Sequence, residues 1–502
     1  MNKNTLIAAA FTLLCNITLG QQAKENYVQI QPGDTESDII TKAANVTPSP
    51  RQLRWQQLEL TAFFHFGINT FTDKEWGDGT EDPSIFNPTA LDAQQWVLTA
   101  KNAGIKQVII TAKHHDGFCL WPTATTNHSV AASSWKAGKG DVVKEVSDAC
   151  RAYGIGFGIY LSPWDRNASV YGTDAYNDFF VAQLTELLTR YGRVDEVWFD
   201  GANGEGPNGK KQVYDFERWY KLIRNLQPAA TIAIMGPDIR WVGTESGYGR
   251  ETEWSVVPAD NLDQAEIASG SQHDLVFKPQ GDMTGNDLGR RKKIINAKGL
   301  VWYPAETDVS IRPGWFYHTK EDEKVKTPEK LLDIYYSSVG RNGVLLLNIP
   351  PDKRGVIHEN DVANLMAWKK IISETFAVNL ASNAHTNIGK NGKHILDHNY
   401  DTYWTTRKKD TTAVIELNLR ENKTFDVLLL QENITVGQRI EQFVLEYQDG
   451  IEWKKIAEGT TVGYKRLIRF DAVTANKVRL RILSSRLNPT LSEFGLYKQA
   501  QP

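Results

Sequence analysis

The residues best suited to chemistry follow four short apolar segments of the chain. Each segment ends in groups that can bind or activate a substrate: His65 in HFG, His114 and His115 in KHHDG, Tyr160 in YLSPWD, and Asp200 in WFDG. In a barrel of parallel strands, the carboxyl ends of the strands meet around one rim. The four segments would therefore bring three imidazoles, a phenol and a carboxylate to one site.

A metal-dependent or serine hydrolase fits this set of residues poorly. Three histidines could bind zinc, but adjacent residues of an extended strand point to opposite faces, so His114 and His115 should not reach one ion together. The sequence contains no HxH or HExxH spacing, and no GxSxG follows a predicted strand. Metal-dependent hydrolysis remains the less favoured alternative.

Glycoside hydrolysis fits better, because it needs two carboxyl groups near the anomeric carbon and aromatic faces for the sugar. Asp200 is a candidate for one of them. Trp198 and Phe199 precede it, and Gly201 follows and leaves room for a sugar to approach.

The second carboxyl group is expected on a later loop. RWVGTESG (240–247) and RETEW (250–254) contain three candidates. Glu245 is favoured because glycines flank it and predict an exposed, flexible loop. Glu251 and Glu253 are expected to pair with the neighbouring arginines.

Short β-branched or aromatic segments alternate with helix-length amphipathic segments from residue 60 to 350. This alternation predicts a (β/α)₈-like barrel, with a doubly wound open sheet as the alternative. The sequence has no GxGxxG after its first strand and no GxxxxGK[ST], which disfavours nucleotide-binding open sheets. The predicted strands are 60–68, 107–114, 155–162, 196–201, 230–236, 300–305 and 344–349. The predicted helices are 92–103, 141–153, 175–191, 212–226, 328–339 and 358–376.

The pattern changes after residue 377, where short alternating strands separated by turns predict a β-sandwich. Its predicted strands are 412–417, 424–431, 442–447, 453–458, 465–470 and 477–483. The chain is therefore expected to divide into a signal peptide (1–20), a catalytic barrel (21–378) and an all-β sandwich (379–502).

The first 20 residues have the features of a secretory signal peptide. Lys3 precedes the apolar stretch 6–14, and Thr18 and Gly20 are small residues before the expected cleavage site. A lipid anchor on Cys15 is less favoured, because Leu14 before it is not small. We expect an exported protein, periplasmic or secreted.

The composition limits the partners of the chain. It has 57 Lys and Arg against 60 Asp and Glu, with a formal charge of -3, so no overall basic charge draws it to nucleic acid. No apolar stretch, including that of the signal peptide, is long enough to span a membrane. Cys119 and Cys150 are expected to be buried free thiols rather than a disulfide. The oligomeric state stays open.

Several segments together resemble one enzyme family. HFGINTF (65–71), AKHHDGFCLW (112–121), YLSPWD (160–165) and YGRVDEVWFDG (191–201) resemble glycoside hydrolase family 29, the α-L-fucosidases. The resemblance implies that Asp200 is the nucleophile of a retaining double displacement. It also implies that the side chains touching fucose are those of His65, Glu75, Trp76, His114, His115, Tyr160 and Trp198.

Two further segments resemble the branch of this family that is specific for α-1,3/1,4-linked fucose. RWVGTESG would place the acid/base on Glu245, with Glu251 or Glu253 as alternatives, and ETDVSIRPGWFYH (306–318) would place Trp315 against the fucose methyl group. The implied substrates are fucosylated oligosaccharides of the Lewis a/x type, cleaved without a cofactor. A broad-specificity fucosidase and an inactive, lectin-like relative are the alternatives.

The sandwich resembles discoidin, or F5/8 type C, carbohydrate-binding domains, through ILDHNYDTYW (395–404) and the closing LSEFGLY (491–497). In such domains this loop often lies beside a structural calcium ion. Asp397, Asn399 and Asp401 would supply oxygen ligands. The alternative is that the acidic residues only cap a turn.

Overall fold

The computed structural model describes residues 26–259 and 287–501. The predicted signal peptide therefore lies outside the described residues. The helices of the described part are α1 (Glu36–Asn45), α2 (Pro50–Gln56), α3 (Ile68–Thr72), α4 (Ala93–Asn102), α5 (Val142–Tyr153), α6 (Asp174–Arg190), α7 (Phe216–Leu226), α8 (Arg291–Ile294), α9 (Pro328–Ser337) and α10 (Glu359–Thr375).

The strands up to residue 350 are β1 (Tyr27–Gln29), β2 (Leu60–Phe64), β3 (Gln107–Lys113), β4 (Gly156–Leu161), β5 (Glu196–Phe199), β6 (Thr231–Ile234), β7 (Arg240–Trp241), β8 (Val256–Ala259), β9 (Gly299–Trp302), β10 (Ala305–Ser310) and β11 (Val344–Asn348). The later strands are β12 (His385–Thr386), β13 (Trp404–Thr405), β14 (Ala413–Gln431), β15 (Ile440–Asp449), β16 (Glu452–Gly459), β17 (Arg466–Ser485), β18 (Thr490–Leu491) and β19 (Glu493–Tyr497).

Eight parallel strands form a sheet in the order β6-β5-β4-β3-β2-β11-β10-β7. The two edge strands, β6 and β7, lie beside each other, so the sheet nearly closes on itself. This arrangement confirms the predicted (β/α)₈-like barrel over the open sheet. Within the described ranges, no helix is both long and apolar enough to cross a bilayer.

One predicted barrel strand is wrong. The segment 300–305 overlaps β9, which pairs antiparallel with β1 and β8 in a separate three-stranded sheet. The barrel strand is instead β10, whose sequence AETDVS is too polar to be recognised as a buried strand. The short strand β7 was also not predicted.

The two acidic side chains of β10 are buried and accept hydrogen bonds from indoles. Trp198 Nε1 donates to Glu306 Oε1 at 2.7 Å, and Trp241 Nε1 donates to Asp308 Oδ1 at 2.8 Å. Burial raises the pKa of both carboxyl groups well above the ordinary range, and the charge of Glu196 raises that of Glu306 further. Neutral carboxylic acids can therefore occupy the barrel interior.

Capping side chains, proline and glycine mark the ends of the helices. The Asp141 side chain accepts from the Lys144 N–H to cap α5, and Gly154, with φ of 69°, ends it in the left-handed conformation. Thr327 caps α9, and Pro328 occupies its first turn. Cys119 and Cys150 are buried free thiols, as predicted.

The chain after residue 377 forms an antiparallel sandwich, as predicted. Its larger sheet has the order β12-β14-β17-β15-β16, with β19 also on β14, and β13 pairs with β18. Pairs of predicted short strands are in fact continuous: β14 has 19 residues and β17 has 20. Register shifts within their pairing let each strand bend without ending.

Candidate active site

Asp200 lies directly after β5 at the carboxyl end of the barrel, and two donors hold its carboxylate. Tyr160 Oη donates to Oδ2 at 3.2 Å, and the Ala202 N–H donates to Oδ1 at 2.7 Å. The Tyr160 ring stacks on Trp198, with ring centres 5.1 Å apart. Tyr160 lies on β4 and Asp200 directly follows the neighbouring strand β5, so the barrel itself orients the carboxylate.

The three predicted histidines converge on the same end of the barrel. His65 Nδ1 lies 2.9 Å from Asn348 Oδ1, and His115 Nδ1 lies 2.7 Å from Ser162 Oγ. The His114 ring stacks on Tyr160 at 5.7 Å.

The expectation that His114 and His115 point to opposite faces is wrong. Strand β3 ends at Lys113, so both residues lie in the turn beyond it, and their ring centres are 4.1 Å apart. Even so, no group of three His, Cys, Asp or Glu side chains able to hold a metal occurs within 26–259 and 287–501.

Burial keeps the three imidazoles uncharged. It lowers the pKa of His65 to about 3, and it lowers those of His114 and His115 as well. A neutral imidazole offers one donor and one acceptor, which matches a sugar hydroxyl. These side chains can therefore bind a neutral polyol without burying a charge.

Glu245 lies in the loop that follows β7, and its carboxylate accepts from the Trp315 indole N–H at 3.2 Å. Partial desolvation raises its pKa, the Trp315 bond opposes this, and the charges of Asp200 and Glu75 add to the increase. Trp315 and Tyr160, which bond Glu245 and Asp200, both lie beside the His65 ring, so the two carboxyl groups lie at the same end of the barrel.

The alternative carboxylates are bound elsewhere. Glu253 is buried between Arg240 and Arg250. Glu251 lies between Arg466 and Arg341, away from the barrel rim. Both pair with arginines, as their sequence neighbours suggested.

Glu75 and Trp76 also lie at this end of the barrel. The Glu75 carboxylate accepts from the Trp315 N–H at 2.8 Å, from the Phe316 N–H at 3.2 Å, and bonds His318 Nε2 at 2.6 Å. Trp76 is 55% exposed and meets His115 edge to face at 5.4 Å. Glu75 thus fixes the segment that carries Trp315, a role that the sequence did not reveal.

The sequence did not predict several residues that bond the side chains of the site. Asn348 bonds His65 and also donates to the Trp315 carbonyl at 2.7 Å. It is the last residue of β11 and the next to last of the predicted strand 344–349, so its position near a strand end was the available signal. His318 bonds both Asp73 and Glu75, and nothing local in the sequence marks that triad.

Within the turn predicted to lie beside calcium, several polar groups form hydrogen bonds with one another. Asp397 accepts from the Asn399 N–H and from Thr402 Oγ1, and Asn399 Oδ1 accepts from the Asp401 N–H. The side chains are exposed, which leaves further oxygen lone pairs facing solvent. Nearby Trp404 is buried in the sandwich core.

A parallel barrel with two carboxyl groups, neutral imidazoles and indoles at its carboxyl end belongs to the class of glycoside hydrolases. The family model for α-L-fucosidase matches residues 52–373, and that for the F5/8 type C domain matches 378–494. The chain therefore belongs to the α-L-fucosidase family, glycoside hydrolase family 29, and is an α-L-fucosidase carrying an F5/8 type C domain.

Similar proteins cover nearly the whole chain. α-L-Fucosidase 1 of Arabidopsis thaliana is 44% identical over 90% of this chain and 87% of its own. A Bacteroides ovatus structure assigned as an α-L-fucosidase is 52% identical, with a TM-score of 0.85 over 95% of this chain and 78% of its own. A Ruminococcus gnavus family 29 fucosidase in complex with fucose is 34% identical, with a TM-score of 0.80 over 91% of this chain and 95% of its own.

Proposed function

We propose that the protein removes terminal α-1,3/1,4-linked L-fucose by a retaining double displacement, with Asp200 as nucleophile and Glu245 as acid/base. One observation carries the assignment of the pair. The Asp200 carboxylate bonds Tyr160 and the Glu245 carboxyl group bonds Trp315. The Tyr160 and Trp315 rings lie 5.9 and 5.1 Å from the His65 ring, which supports placing both carboxyl groups in one site.

In the first step Asp200 attacks C1 of fucose, and Glu245 gives its proton to the departing glycosidic oxygen. In the second step Glu245 takes a proton from water, and the water displaces Asp200 from C1. A retaining pair needs its carboxyl groups about 5–5.5 Å apart during the reaction. The raised pKa of Glu245 supports the acid role, because it keeps the carboxyl group protonated at higher pH.

Neutral side chains would recognise the sugar. We assign hydroxyl binding to His65, His114 and His115, helped by Glu75, Tyr160 and the indoles of Trp76 and Trp198. The Trp315 ring, 5.1 Å from the His65 ring, would meet the C6 methyl group. A flat apolar face suits a 6-deoxy sugar better than one with a C6 hydroxyl.

The catalytic pair is tested with Asp200→Ala and Glu245→Ala on an aryl fucoside with a good leaving group. Azide should restore turnover in both, giving β-fucosyl azide with the first variant and α-fucosyl azide with the second. Asp195→Ala, which alters an acid at the opposite end of β5, is a control that azide should not affect. Near-normal turnover of a trisaccharide by Glu245→Ala would refute the acid/base assignment and require the same test of Glu251 and Glu253.

The linkage preference rests on the RWVGTESG and ETDVSIRPGWFYH segments. We expect fucose release from Lewis a- and Lewis x-type trisaccharides, whose branching galactose adds contacts. Release from α-1,2-, α-1,3- and α-1,4-linked oligosaccharides should be compared at equal enzyme concentration. Appreciable α-1,2 activity would favour the broad-specificity alternative, and no turnover of any fucoside would favour the lectin-like one.

We also propose that the protein is exported by its first 20 residues, to the periplasm or beyond the cell. Lys3, the apolar stretch 6–14 and the small residues Thr18 and Gly20 support this. Mass spectrometry of the mature protein should find an N-terminus at Gln21. A lipid-modified Cys15 at the N-terminus would instead establish the anchored form.

A calcium ion at the 397–401 turn is proposed on its exposed oxygen-bearing side chains. Calcium should raise the melting temperature of the chelator-treated protein, because an ion that binds only the folded state stabilises it. Asp397→Ala should abolish the increase. A melting temperature indifferent to calcium would leave these acids as turn caps.

A further inference from the structure

The segment from Arg240 to Ser255 forms a loop whose two ends are bonded together. Buried Arg240, at its start, forms an ion pair with buried Glu253 near its end. Arg240 also donates to the Trp254 carbonyl at 3.0 Å. Glu245 lies within the loop this pairing closes, and the Gly247 N–H also donates to the Asp308 carbonyl of β10 at 3.0 Å. The base therefore fixes where the segment after Gly247 returns to the barrel.

The sandwich, rather than the barrel alone, holds the base of this loop. Thr461 Oγ1 accepts from the Glu253 N–H at 3.0 Å. The Gln438 side chain donates to the Glu253 carbonyl at 3.0 Å and accepts from the Ser255 N–H at 2.8 Å. All of these groups are buried, so each lost bond would leave an unpaired polar atom.

Arg466, at the start of β17, holds the loop at Glu251, two residues before Glu253. Its guanidinium donates to the Glu251 carbonyl at 2.7 Å and pairs with the Glu251 carboxylate. Arg341, from the barrel, binds the other carboxylate oxygen at 2.8 Å and the Gly249 carbonyl at 3.1 Å. Glu251 therefore forms one ion pair with the sandwich and another with the barrel, four residues after Gly247.

From these contacts we infer that the sandwich positions the acid/base of the barrel, with Arg466, Gln438 and Thr461 as positioning residues. This inference rests on the proposed role of Glu245. A displacement of about 1 Å at a catalytic group costs on the order of 100-fold in rate. A loop released at its base would let the Glu245 carboxyl move, while Asp200 stays fixed on β5.

The inference is tested by the dependence of kcat/KM on the leaving group. The 2-chloro-4-nitrophenolate leaving group departs from its fucoside without protonation. The 4-methoxyphenolate group is more basic, and its departure needs a proton from the acid. Arg466→Met should leave kcat/KM for the first within about twofold of wild type and lower it for the second about 10- to 100-fold. General loss of folded protein would lower both equally.

Arg469→Met is the matched control. Arg469 is on the same strand and also pairs with a barrel carboxylate, Asp333 of α9, at 2.7 Å, but it does not contact the loop. It should show no selective loss. If Arg466→Met fails to fold, Thr461→Val replaces it, because it removes only the acceptor of the Glu253 N–H.

Equal effects on both fucosides, or none, would overturn the inference. Glu245→Ala, measured with the same two substrates, separates the two proposals. If that variant shows no selective loss on the poor leaving group, the acid/base assignment fails. If it does and the Arg466 and Thr461 variants do not, only the role of the sandwich fails.

Discussion

Replacing Glu75 by Gln tests how the site holds Trp315. The carboxylate accepts from two backbone N–H groups and from His318, and Oε2 alone accepts from the Trp315 N–H. A glutamine that keeps the bonds at Oε1 must point its NH₂ at the Trp315 N–H, so two donors would face each other. The turn carrying Trp315 should therefore shift.

The magnitude follows from the lost bond. A hydrogen bond to a charged group contributes about 1.5–3 kcal/mol, and the lower end applies because the Glu75 side chain is 39% exposed. About 1.4 kcal/mol corresponds to a tenfold rate change. We therefore expect Glu75→Gln to lower kcat/KM about tenfold, measured on an aryl fucoside at pH 6.

Two further variants isolate the cause. Asp73→Asn keeps an oxygen acceptor for His318 Nδ1 and removes only its negative charge, so it should cost about threefold or less. Gly314→Ala leaves Glu75 chemically intact, but its Cβ would lie 2.5 Å from Glu75 Oε1 and 2.9 Å from His318 Cδ2. It should reproduce the Glu75→Gln loss. A harmless Gly314→Ala beside a damaged Glu75→Gln would refute the reasoning and assign the loss to direct sugar contact.

The same triad predicts a pH dependence. Burial opposes the charge of His318, but its bonds to Asp73 and Glu75 prevail and raise its pKa. Its contribution to stability is therefore complete below the unfolded pKa of about 6.5 and declines as pH rises through the raised value. The melting temperature of Glu75→Gln should approach that of wild type as pH rises across this range.

Three other results are expected. Trp315→Phe keeps the apolar face but removes the N–H that lowers the Glu245 pKa, so the alkaline limb of the kcat/KM profile should move to higher pH, and an unchanged limb would contradict that contact. The glutamine of Glu306→Gln cannot ionise. In wild type the pKa of Glu306 is raised in the folded state, so stability is lost as pH rises above the ordinary glutamate pKa of about 4.5. The unfolding free energy of the variant relative to wild type should therefore increase from pH 5 to 8 in urea titrations, and a flat difference would argue against a neutral buried acid. Burial raises the pKa of the Cys119 and Cys150 thiols, the latter to about 12, so a thiol reagent should label both only after denaturation, and rapid labelling of the native protein would contradict their burial.

The sequence predicted the parts of the site that follow apolar strands, because strand ends in a barrel converge wherever the intervening chain runs. Asp200, His65 and Tyr160 are of this kind. It missed β10, because the side chains of Glu306 and Asp308 are polar and only their indole partners make burial acceptable. Those partners lie on other strands, so no local pattern marks them.

The hydrogen bonds of Glu75 could not be predicted from the sequence for a related reason. Its partners Trp315 and His318 lie more than two hundred residues later, and each forms its bond only once the barrel has closed. The motif around Glu75 indicated a residue of the site, but a motif carries no information about which of its atoms face the protein and which face the sugar.

The long strand β14 gives barrel and sandwich a common structural layer. Val427 and Leu429 pack into the core cluster of the barrel, whereas the alternate residues Leu428 and Leu430 pack into that of the sandwich. Successive residues of a strand face opposite sides, so one stretch of backbone serves two hydrophobic cores. Unfolding of either core would remove packing contacts from the other. Calorimetry should therefore record one cooperative transition rather than two.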